Sequence, residues 1–492
     1  MCEGLLREIL LFLTEVLEVR QKIVFASWRI DGTASFASAR PITFYYPIFA
    51  AYINPMNYTS ILSHFNIKEL NEMQKATLEA IPKPNDVVLI SPTGSGKTLG
   101  FLLPILQLLE TDKEGVQVLI LVPSRELAIQ IEQVFKQMST SFKINCCYGG
   151  HSVRIEENNF QHPPAVLVGT PGRIEHHLRR KNLIVDDIKT LILDEFDKSL
   201  EFGFKDEMEF IIQQCKHLKK RILTSATPLK EIPDFVGLKH SVELNYTTEH
   251  KELKSALVIK SVRVEGDDKL EALMLLLGKI QAKSTIVFCN HRDAVNRISE
   301  QLELYKVDHG FYHGGLEQID REKTLIKLRN GSINLLITTD LAARGLDIPE
   351  IEAVIHYQFP TTEDVMIHRN GRTARMNANG TAYFLLDIND HLPKFLDVIP
   401  IEETLPKKLV LPAPCEWKTL YIGAGKKDKI NKMDIVGMLL QKGQLQKDEL
   451  GKIEVLDHSA YAAVKANKIA KTLQLIKEEK IKNRKIKMEV SS

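Results

Sequence analysis

The sequence predicts two tandem α/β domains, each a doubly wound parallel sheet, followed by a smaller basic domain. Three observations support this fold class: a length of 492 residues, short apolar runs that alternate with helix-patterned stretches, and an excess of positive charge after residue 415. The length allows about three domains of ordinary size. A hydrophobic content of 44% and a charged content of 26% are typical of globular proteins, which excludes disordered and fibrous classes.

The apolar runs fall into two sets. The first set occupies 87–90, 118–122, 165–168 and 190–193, and the second occupies 284–288, 333–337 and 353–355. Continuous Val, Ile and Leu runs between helices indicate strands that are covered on both faces, and therefore parallel sheets. A polar stretch separates the two sets. It predicts a linker, with a cleft between two domains where a ligand can bind.

The domain limits follow from these changes in composition. We expect an N-terminal extension at 1–55, a first α/β domain at 56–245, a linker at 246–256, a second α/β domain at 257–400, a linker at 401–415 and a small domain at 416–492. Recognisable organisation begins only near Met56, which gives the hypothesis that Met56 is the native start. Peptides from before Met56, found by mass spectrometry, would contradict it.

Positive charge is concentrated at the C-terminal end. Residues 416–492 contain 17 Lys and Arg against 10 Asp and Glu, whereas the whole chain has a net charge of only +2. A basic module on a nearly neutral body is a common arrangement in proteins that bind a polyanion. A solvated basic face without a partner is the alternative interpretation.

The cysteines and the hydropathy of the chain indicate in which cellular compartment the protein is expected. The six cysteines have no C-x-x-C pair and no regular spacing, so the sequence predicts neither a zinc site nor a disulfide framework. No apolar run approaches the roughly 18 residues that span a bilayer. We therefore expect a cytoplasmic protein without a membrane partner.

A phosphate-binding loop follows the first apolar run. Its residues are Ser91, Pro92, Thr93, Gly94, Ser95, Gly96, Lys97 and Thr98, and a predicted helix at 99–109 comes next. The glycines let backbone N–H groups turn toward phosphate oxygens, a lysine reaches the terminal phosphates, and the threonine hydroxyl can hold Mg²⁺. The usual first glycine of such a loop is Ser91 here.

An acidic tetrad, Asp194-Glu195-Phe196-Asp197, follows the apolar run at 190–193. In α/β proteins ligands bind at the carboxyl ends of the strands, which is where this tetrad is expected to lie. Asp194 is expected to face Mg²⁺ and Glu195 to face the attacking water, because phosphoryl transfer needs neutralised charge and a positioned water. A solvated acidic loop is the alternative, which the preceding phosphate loop makes less favourable.

A basic segment in the second predicted domain offers two arginines. Arg372 and Arg375 stand three residues apart, which places them on one helical face if the segment is helical. Guanidinium groups suit the spreading charge of a transferred phosphoryl group. Surface salt bridges are the alternative role for this pair.

Together with several other ordered segments, these motifs closely resemble those of the DEAD-box RNA helicases. The additional matching segments are 123–130 (PSRELAIQ), 149–150 (GG), 170–173 (TPGR), 225–227 (SAT), 313–315 (HGG), 338–347 (TTDLAARGLD) and 368–375 (HRNGRTAR). The resemblance extends from about Met56 to Leu386. It implies two RecA-like domains of the P-loop NTPase class that close on ATP and single-stranded RNA.

The resemblance also implies roles for individual residues. Those implied for catalysis are Lys97, Asp194, Glu195, Arg372 and Arg375. Those implied for ATP are Gln74, Thr93, Gly94, Ser95, Gly96, Lys97, Thr98 and Asp347, with Thr98 and Asp194 toward Mg²⁺. Those implied to couple nucleotide state to domain closure are Asp197, Ser225, Thr227 and His368. Those implied to grip the RNA backbone are Arg125, Gly150, Thr170, Arg173, Gln318, Arg321 and Thr338.

The sequence departs from the family pattern near the expected adenine site. The usual Gly-aromatic pair before Gln74 is Asn66-Ile67, and the usual proline is Leu70. Ile67 has no π-face, so a strict preference for ATP over GTP is less secure than hydrolysis itself. Phe196 in the tetrad and Ala374 in the arginine segment leave every charged group in place.

The basic tail resembles the RNA-binding domain of bacterial DbpA-type helicases, through 419–429 and 451–453. That resemblance implies an RRM-like α+β domain and 23S ribosomal RNA or pre-ribosomal particles as partners. Tyr421 and Tyr461 either stack on bases or belong to the core. The expected phosphate contacts are Lys426, Lys427, Lys429, Lys482, Arg484 and Lys485.

The sequence thus predicts an ATP- and Mg²⁺-dependent RNA helicase that separates short duplexes, with no DNA partner and a monomeric state. An ATP-gated RNA clamp is the first alternative, although a clamp tolerates loss of the catalytic charges that are complete here. A DNA helicase with the same motor is the second, which the RNA-like tail opposes.

Overall fold

The computed structural model describes residues 58–491 except 93, 151–152, 230, 248–256, 265–268, 282–283, 341–347, 349–350, 374–379, 388–389, 397 and 483. The predicted extension at 1–55 and the proposed start at Met56 lie outside the described residues. Thr93, Asp347 and Arg375 also lie outside them. No helix within the described residues is long and apolar enough to cross a bilayer.

The first domain is a seven-stranded parallel sheet with helices between its strands. In chain order its elements are α1 (Tyr58–Ser63), α2 (Glu72–Ala80), β1 (Val87–Ile90), α3 (Lys97–Ile105), β2 (Val118–Leu121), α4 (Arg125–Gln137), β3 (Ile144–Cys147), α5 (Val153–Phe160), β4 (Val166–Gly169), α6 (Pro171–Arg179), β5 (Thr190–Leu193), α7 (Phe196–Glu201), α8 (Lys205–Gln214), β6 (Lys220–Ser225) and β7 (Val242–Asn245). The strand order is β3-β4-β2-β5-β6-β1-β7. The predicted parallel sheet is confirmed.

This strand order explains how distant motifs meet. β6 lies between β5 and β1, so its carboxyl end separates the acidic tetrad from the phosphate loop. All residues of β1, β2, β4 and β5 are buried, because their apolar side chains pack against helices on both faces of the sheet. Three loops therefore converge at one edge of a rigid sheet.

The helix after the phosphate loop differs from the sequence prediction. It begins at Lys97, two residues earlier than expected, because Gly96 adopts a left-handed conformation with φ 85° at the N-cap. It ends at Ile105 rather than near 109. The next backbone N–H groups, from Leu106 to Leu108, bond three residues back, so the last turn tightens into 3₁₀ geometry.

The second domain repeats the architecture. Its described elements are β8 (Leu257–Arg263), α9 (Lys269–Ile280), β9 (Thr285–Cys289), α10 (Arg292–Leu304), β10 (Gly310–Tyr312), α11 (Gln318–Arg329), β11 (Leu335–Thr339), β12 (Ala353–His356), α12 (Glu363–Asn370), β13 (Gly380–Leu386) and β14 (Ile401–Glu402). The order is β10-β11-β9-β12-β13-β8-β14, again parallel. The short strand β14 pairs with β8, so the segment expected as a linker from 401 begins within the second sheet.

The third domain is a small antiparallel sheet with two helices. Its elements are β15 (Trp417–Ile422), α13 (Lys432–Gln441), β16 (Leu450–Val455), β17 (Ala460–Lys465), α14 (Ile469–Ile476), β18 (Lys480–Ile481), β19 (Arg484–Lys485) and β20 (Met488–Val490). The order β16-β17-β15-β20 and the βαββαβ succession are those of an RRM-like domain. β18 and β19 form a separate hairpin.

Candidate active site and nucleic-acid interface

The phosphate loop has the backbone that anion binding requires. Gly94 and Gly96 have φ angles of 86° and 85°, which side chains with a Cβ rarely adopt. The Lys97 ammonium group donates to the carbonyl oxygens of Ser91 and Pro92, the latter at 2.8 Å. Burial lowers the pKa of Lys97, although Asp194 opposes that shift. The loop thus presents a cation and glycine-permitted turns at the start of α3.

Gln74 fastens this loop to α2. Its side-chain oxygen accepts from the Asn71 N–H at 3.1 Å, which closes a capping box, and its side-chain amide donates to the Gly96 carbonyl at 3.3 Å. The Asn71 amide donates to the Ser95 carbonyl at 2.9 Å. Ile67 is half-buried and packs on the core of the first domain. Gln74 and Asn71 therefore join the N-terminal end of α2 to the phosphate loop.

Two buried carboxyl groups lie side by side at the end of β5. The Thr224 hydroxyl donates to Asp194, and the Glu195 N–H donates to Asp194 Oδ1 at 3.1 Å and to Thr224 Oγ1 at 3.2 Å. Glu195 has φ 47°, a left-handed conformation that these contacts hold. Burial, reinforced by the charge of Asp194, raises the pKa of Glu195 to about 7. Burial also raises the pKa of Asp194.

One carboxylate oxygen of this pair is unsatisfied. Glu195 Oε2 is buried and has no hydrogen-bond partner among the described residues. Buried polar atoms almost always have a partner, so this oxygen can accept a hydrogen bond from a water molecule. The raised pKa values of Asp194 and Glu195 also mark a place where a divalent cation would relieve repulsion between the two carboxylates.

The predicted coupling residues also converge. His368 Nε2 lies 3.6 Å from Asp197 Oδ2, and the pair joins the second domain to the first. Burial acts to raise the pKa of Asp197, but His368 and Lys198 outweigh it, and the net pKa is lowered. The Ser225 hydroxyl donates to the Thr227 carbonyl at 2.6 Å. Asp197 therefore stays ionised against the second domain.

Arg372 reaches the acidic pair from the second domain. Arg372 is only 3% exposed, and its positive charge acts to lower the pKa of Glu195, against the larger effect of burial. The expected shared helical face is not formed at this residue, because α12 ends at Asn370 and Arg372 lies in the following turn. Lys97, Asp194, Glu195 and Arg372 are nevertheless brought together at one site.

Several predicted RNA contacts meet across the cleft. Arg125 Nη1 donates to Gln318 Oε1 at 2.8 Å, which links the first turns of α4 and α11. Arg321 lies 3.7 Å from Glu126, whose carboxylate also accepts from the Tyr312 hydroxyl at 2.9 Å. These contacts align the two domains along one polar strip.

The other predicted RNA residues are divided between the domains: Gly150, Thr170 and Arg173 belong to the first domain, and Thr338 lies on β11 of the second. Gly150 has φ 90°, and a Cβ on it would lie 2.5 Å from Arg125 Nη1. Arg173 lies in the first turn of α6, and its Nε donates to Glu156 Oε2 at 2.6 Å. Thr170 is half-buried at the N-cap of α6. Thr338 is fully buried, and its hydroxyl donates to the Tyr312 carbonyl at 2.9 Å.

Known protein families match in three consecutive blocks. Residues 71–235 match the family described as DEAD/DEAH box helicase, 268–377 match the helicase conserved C-terminal domain, and 419–490 match the DbpA RNA binding domain. The ATP-dependent RNA helicase DbpA of Escherichia coli is 31% identical over 425 residues, which cover 84% of this chain and 93% of that protein.

The chain belongs to the DEAD-box family. It is an ATP-hydrolysing RNA helicase of the DbpA type, as the resemblance implied. DbpA of Bacillus subtilis is 28% identical over 85% of this chain and 94% of its own length. The Saccharomyces cerevisiae helicase Dbp5 bound to RNA and ADP BeF3 is 25% identical, with a TM-score of 0.60 over 70% of this chain and 93% of that chain. The fold of Mss116 bound to ssRNA and UDP-BeF superposes with a TM-score of 0.65.

In this DEAD-box helicase, one face of the third-domain sheet packs on the second domain. Arg329 at the end of α11 donates to both carboxylate oxygens of Glu454, at 3.0 and 2.8 Å. The Thr419 hydroxyl contacts Asn330 and Ser332 at 3.0 and 2.8 Å. Thr419 is 1% exposed, although it is polar and points away from the third-domain core.

The two tyrosines lie on that same packed face. Tyr421 and Tyr461 are cross-strand partners with ring centroids 5.5 Å apart in an edge-to-face arrangement. Tyr461 is only 3% exposed. Base stacking by Tyr461, one of the two interpretations from sequence, is therefore wrong for this arrangement of the helicase, and burial is its role.

The lysine-rich runs converge on another part of the third domain. The Lys482 ammonium group donates to the Lys429 carbonyl at 2.5 Å and lies 2.8 Å from Asp434 at the N-terminal end of α13. Arg484 lies 3.2 Å from Asp428. We call this group the basic surface; its residues, all of which are exposed, are Lys426, Lys427, Lys429, Lys482, Arg484 and Lys485.

Some contributing residues were not predicted. Thr224 holds Asp194 and Glu195, and Tyr312 and Glu126 connect the domains. Thr224 stands one residue before Ser225 at the end of β6, and Glu126 stands between Arg125 and the rest of α4. Their positions beside motif residues were the available signal, but their partners lie on other elements.

Proposed function

We propose that this helicase uses ATP and Mg²⁺ to close its two α/β domains on single-stranded RNA, which locally separates short duplexes, and that its third domain directs this activity to 23S ribosomal RNA or pre-ribosomal particles. The proposal of a ribosomal RNA target rests on the two lysine-rich runs that come together at the basic surface. Family membership and the cross-cleft contacts support the motor activity.

The proposed hydrolytic step divides between the domains. The loop with Lys97 binds the phosphates, and the Glu195 carboxylate orients the attacking water and accepts its proton. Arg372 stabilises the charge that spreads over the transferred phosphoryl group. When bound, Mg²⁺ would be held by Thr98 and Asp194 and would neutralise phosphate charge. The site is complete only when both domains contribute.

The RNA grip is proposed along the strip that crosses the cleft. Arg125 and Arg173 from the first domain, with Gln318 and Arg321 from the second, offer donors to phosphate and ribose oxygens. Such contacts position the strand and carry little base-sequence information. Closing the cleft therefore favours a bent single strand whatever its sequence, which is how a short duplex would be opened.

Target choice is proposed to rest on the basic surface. Clustered cations at the α13 N-terminal end and the β18–β19 hairpin suit the phosphates of a folded RNA. Because the third-domain sheet face packs on the second domain, this surface is the part of the third domain best placed to hold RNA. A hairpin held there would bring neighbouring single strands toward the cleft.

A charge-neutralisation experiment tests the target. A variant with Lys426→Gln, Lys429→Gln and Arg484→Gln is compared with a control that carries Lys442→Gln, Lys447→Gln and Lys468→Gln elsewhere on the third domain. ATPase is titrated with 23S ribosomal RNA and with a homopolymer. We expect the first variant alone to lose its preference for ribosomal RNA, with unchanged activity on the homopolymer.

The same proteins decide between strand separation and the clamp alternative. ATP-dependent release of a short labelled duplex supports the helicase mechanism. ATP-dependent RNA retention without release, in the wild type and in Glu195→Gln alike, supports the clamp. An equal loss of preference in both triple variants would reject the basic surface as the specific site.

A further inference from the structure

A buried carboxylate of the first domain lies beneath the proposed RNA grip. Glu156 on α5 is 1% exposed. Its Oε2 accepts from Arg173 Nε at 2.6 Å and contacts His177 Nε2 at 2.7 Å, and its Oε1 accepts from the Tyr148 N–H at 3.3 Å. No motif contains Glu156, and the proposed hydrolytic step does not use it.

The three groups that contact Glu156 come from two parts of the first domain. Arg173 and His177 lie on α6, and Tyr148 immediately precedes the Gly149-Gly150 turn. Gly150 in turn lies against the Arg125 guanidinium, which a Cβ at this position would displace. One carboxylate therefore fixes an arginine rotamer and the start of a turn whose backbone lies beside a second arginine.

A metal site is the competing interpretation of this cluster. Donor atoms of Cys147, Glu156 and His177 lie within 4.8 Å of one another and are buried. However, the Arg173 guanidinium occupies the same Glu156 oxygen as His177 does, at 2.6 Å. A metal cation bound there would face that fixed positive charge in a buried place, which is strongly unfavourable. The contacts instead satisfy the carboxylate as a hydrogen-bond centre.

We propose that Glu156 is a positioning residue for RNA binding. It holds Arg173 and the Tyr148–Gly150 backbone in the geometry that meets RNA phosphates, and so it acts on RNA affinity through Arg173. This inference rests on the proposed RNA contact by Arg173. A charge-assisted hydrogen bond that holds a side chain before binding removes the cost of ordering that side chain on the RNA.

Glu156→Gln is the primary variant. Whichever way the glutamine amide is turned, its NH₂ group faces a donor, either Tyr148 N–H or the Arg173 and His177 pair. We expect the RNA concentration for half-maximal ATPase to rise about tenfold, the size of effect given by loss of one charge-assisted bond. The rate at saturating RNA should stay within about twofold, because the nucleotide site is untouched. Glu157→Gln is the matched control. Glu157 lies next to Glu156 on α5, and its carboxylate accepts from the Asn182 side-chain amide at 2.8 Å.

Two additional measurements separate positioning from general destabilisation. The Arg173→Ala variant and the Arg173→Ala/Glu156→Gln double variant form a cycle, in which the double variant should bind RNA no more weakly than Arg173→Ala alone. The dependence of RNA binding on salt should also weaken in Glu156→Gln, by about one phosphate contact. Glu156→Asp keeps the buried charge and folding but shortens the side chain, and it should shift RNA half-saturation in the same direction.

The outcomes are distinct. Unchanged RNA affinity in Arg173→Ala would reject the proposed contact of Arg173 with RNA. Weaker RNA binding in Arg173→Ala, with wild-type affinity in Glu156→Gln and Glu156→Asp, would reject the positioning role of Glu156 but would leave the RNA contact of Arg173 in place. Additive losses in the double variant would overturn the proposed route through Arg173.

Discussion

In the proposed mechanism the carboxylate of Glu195 accepts the proton of the attacking water, so protonation of this group should limit hydrolysis. Burial and the neighbouring Asp194 raise its pKa to about 7. Below that pH the group is protonated and cannot accept a proton from water; above it the carboxylate is available. We therefore expect kcat/KM for ATP, at saturating RNA, to rise with pH and to level off above about pH 7, because this parameter reports the RNA-bound enzyme before it binds ATP.

Glu195→Gln supplies the control for that profile. The variant should lower the hydrolysis rate about 100-fold or more, in the range of a lost general base, and should remove the inflection. It should still bind RNA in the presence of ATP. An inflection that persists in Glu195→Gln would assign the titration to another group.

Gln74, which is predicted to contact ATP, is hydrogen-bonded through both its side-chain oxygen and its side-chain nitrogen. Gln74→Glu keeps the acceptor for the Asn71 N–H but replaces the donor to the Gly96 carbonyl with a repelling oxygen. We expect the ATP concentration for half-maximal hydrolysis to rise about tenfold, as for the loss of one buried hydrogen bond. Glu72→Gln, at the exposed start of the same helix, should have no effect. Equal ATP dependence in all three proteins would exclude a role for Gln74 at this site.

At the scale of residues, the sequence predicted the position of functional groups where all of them lie within one short segment. The phosphate loop and the Asp194–Glu195 pair needed only a preceding apolar strand to be placed at the sheet edge. The Thr224, Tyr312 and Glu156 contacts were not predictable in this way, because each joins elements that are distant in the chain and none has a periodic or spacing signal.

At the scale of elements, the Gly149-Gly150 turn offers a matched pair of substitutions. Gly150 has φ 90° and lies beside the Arg125 guanidinium, whereas a Cβ on Gly149 would meet no atom of the described residues within 4 Å. Gly150→Ala should strain the turn by about 1 kcal/mol and displace Arg125, so RNA half-saturation should rise several-fold. Gly149→Ala should leave it near the wild-type value. RNA titrations of the ATPase measure both, and equal effects would contradict this account of the turn.

Strands differed in how well the sequence predicted them. β1, β2, β4 and β5 are central and fully buried, so continuous apolar runs marked them. The edge strand β7 has the sequence VELN and is largely exposed, and the edge strand β14 has only two residues. Edge strands are partly solvated and carry polar residues, so apolar continuity does not reveal them.

On the scale of the whole molecule, the sequence predicted three domains but not their packing. The resemblance to an RRM-like domain left two roles open for Tyr421 and Tyr461, base stacking or burial in the core. In the structure Tyr461 is buried, and Thr419, Asn330 and Ser332 form a polar contact between the third and second domains. Polar interface residues look like ordinary surface residues in a sequence, because only their partners distinguish them.

The docked third domain links the basic surface to the helix that carries the proposed RNA contacts Gln318 and Arg321. Arg329 ends that helix and holds Glu454 through two hydrogen bonds. Arg329→Glu would place two carboxylates together in a half-buried interface, where repulsion replaces a bidentate pair. We expect faster limited proteolysis between the second and third domains. We also expect the extra ATPase stimulation by ribosomal RNA to be lost, while activity on a homopolymer is kept.

Arg263→Glu is the appropriate control, since Arg263 and Glu402 form an exposed pair 3.8 Å apart within the second domain. It introduces the same charge change next to a glutamate but leaves the domain contact intact, and exposed pairs contribute little. If Arg329→Glu and Arg263→Glu are cleaved at the same rate, the third domain is not held by this contact. If Arg329→Glu is cleaved faster but ribosomal stimulation persists, RNA held on the basic surface reaches the cleft without a rigid link, and tethering alone accounts for the preference.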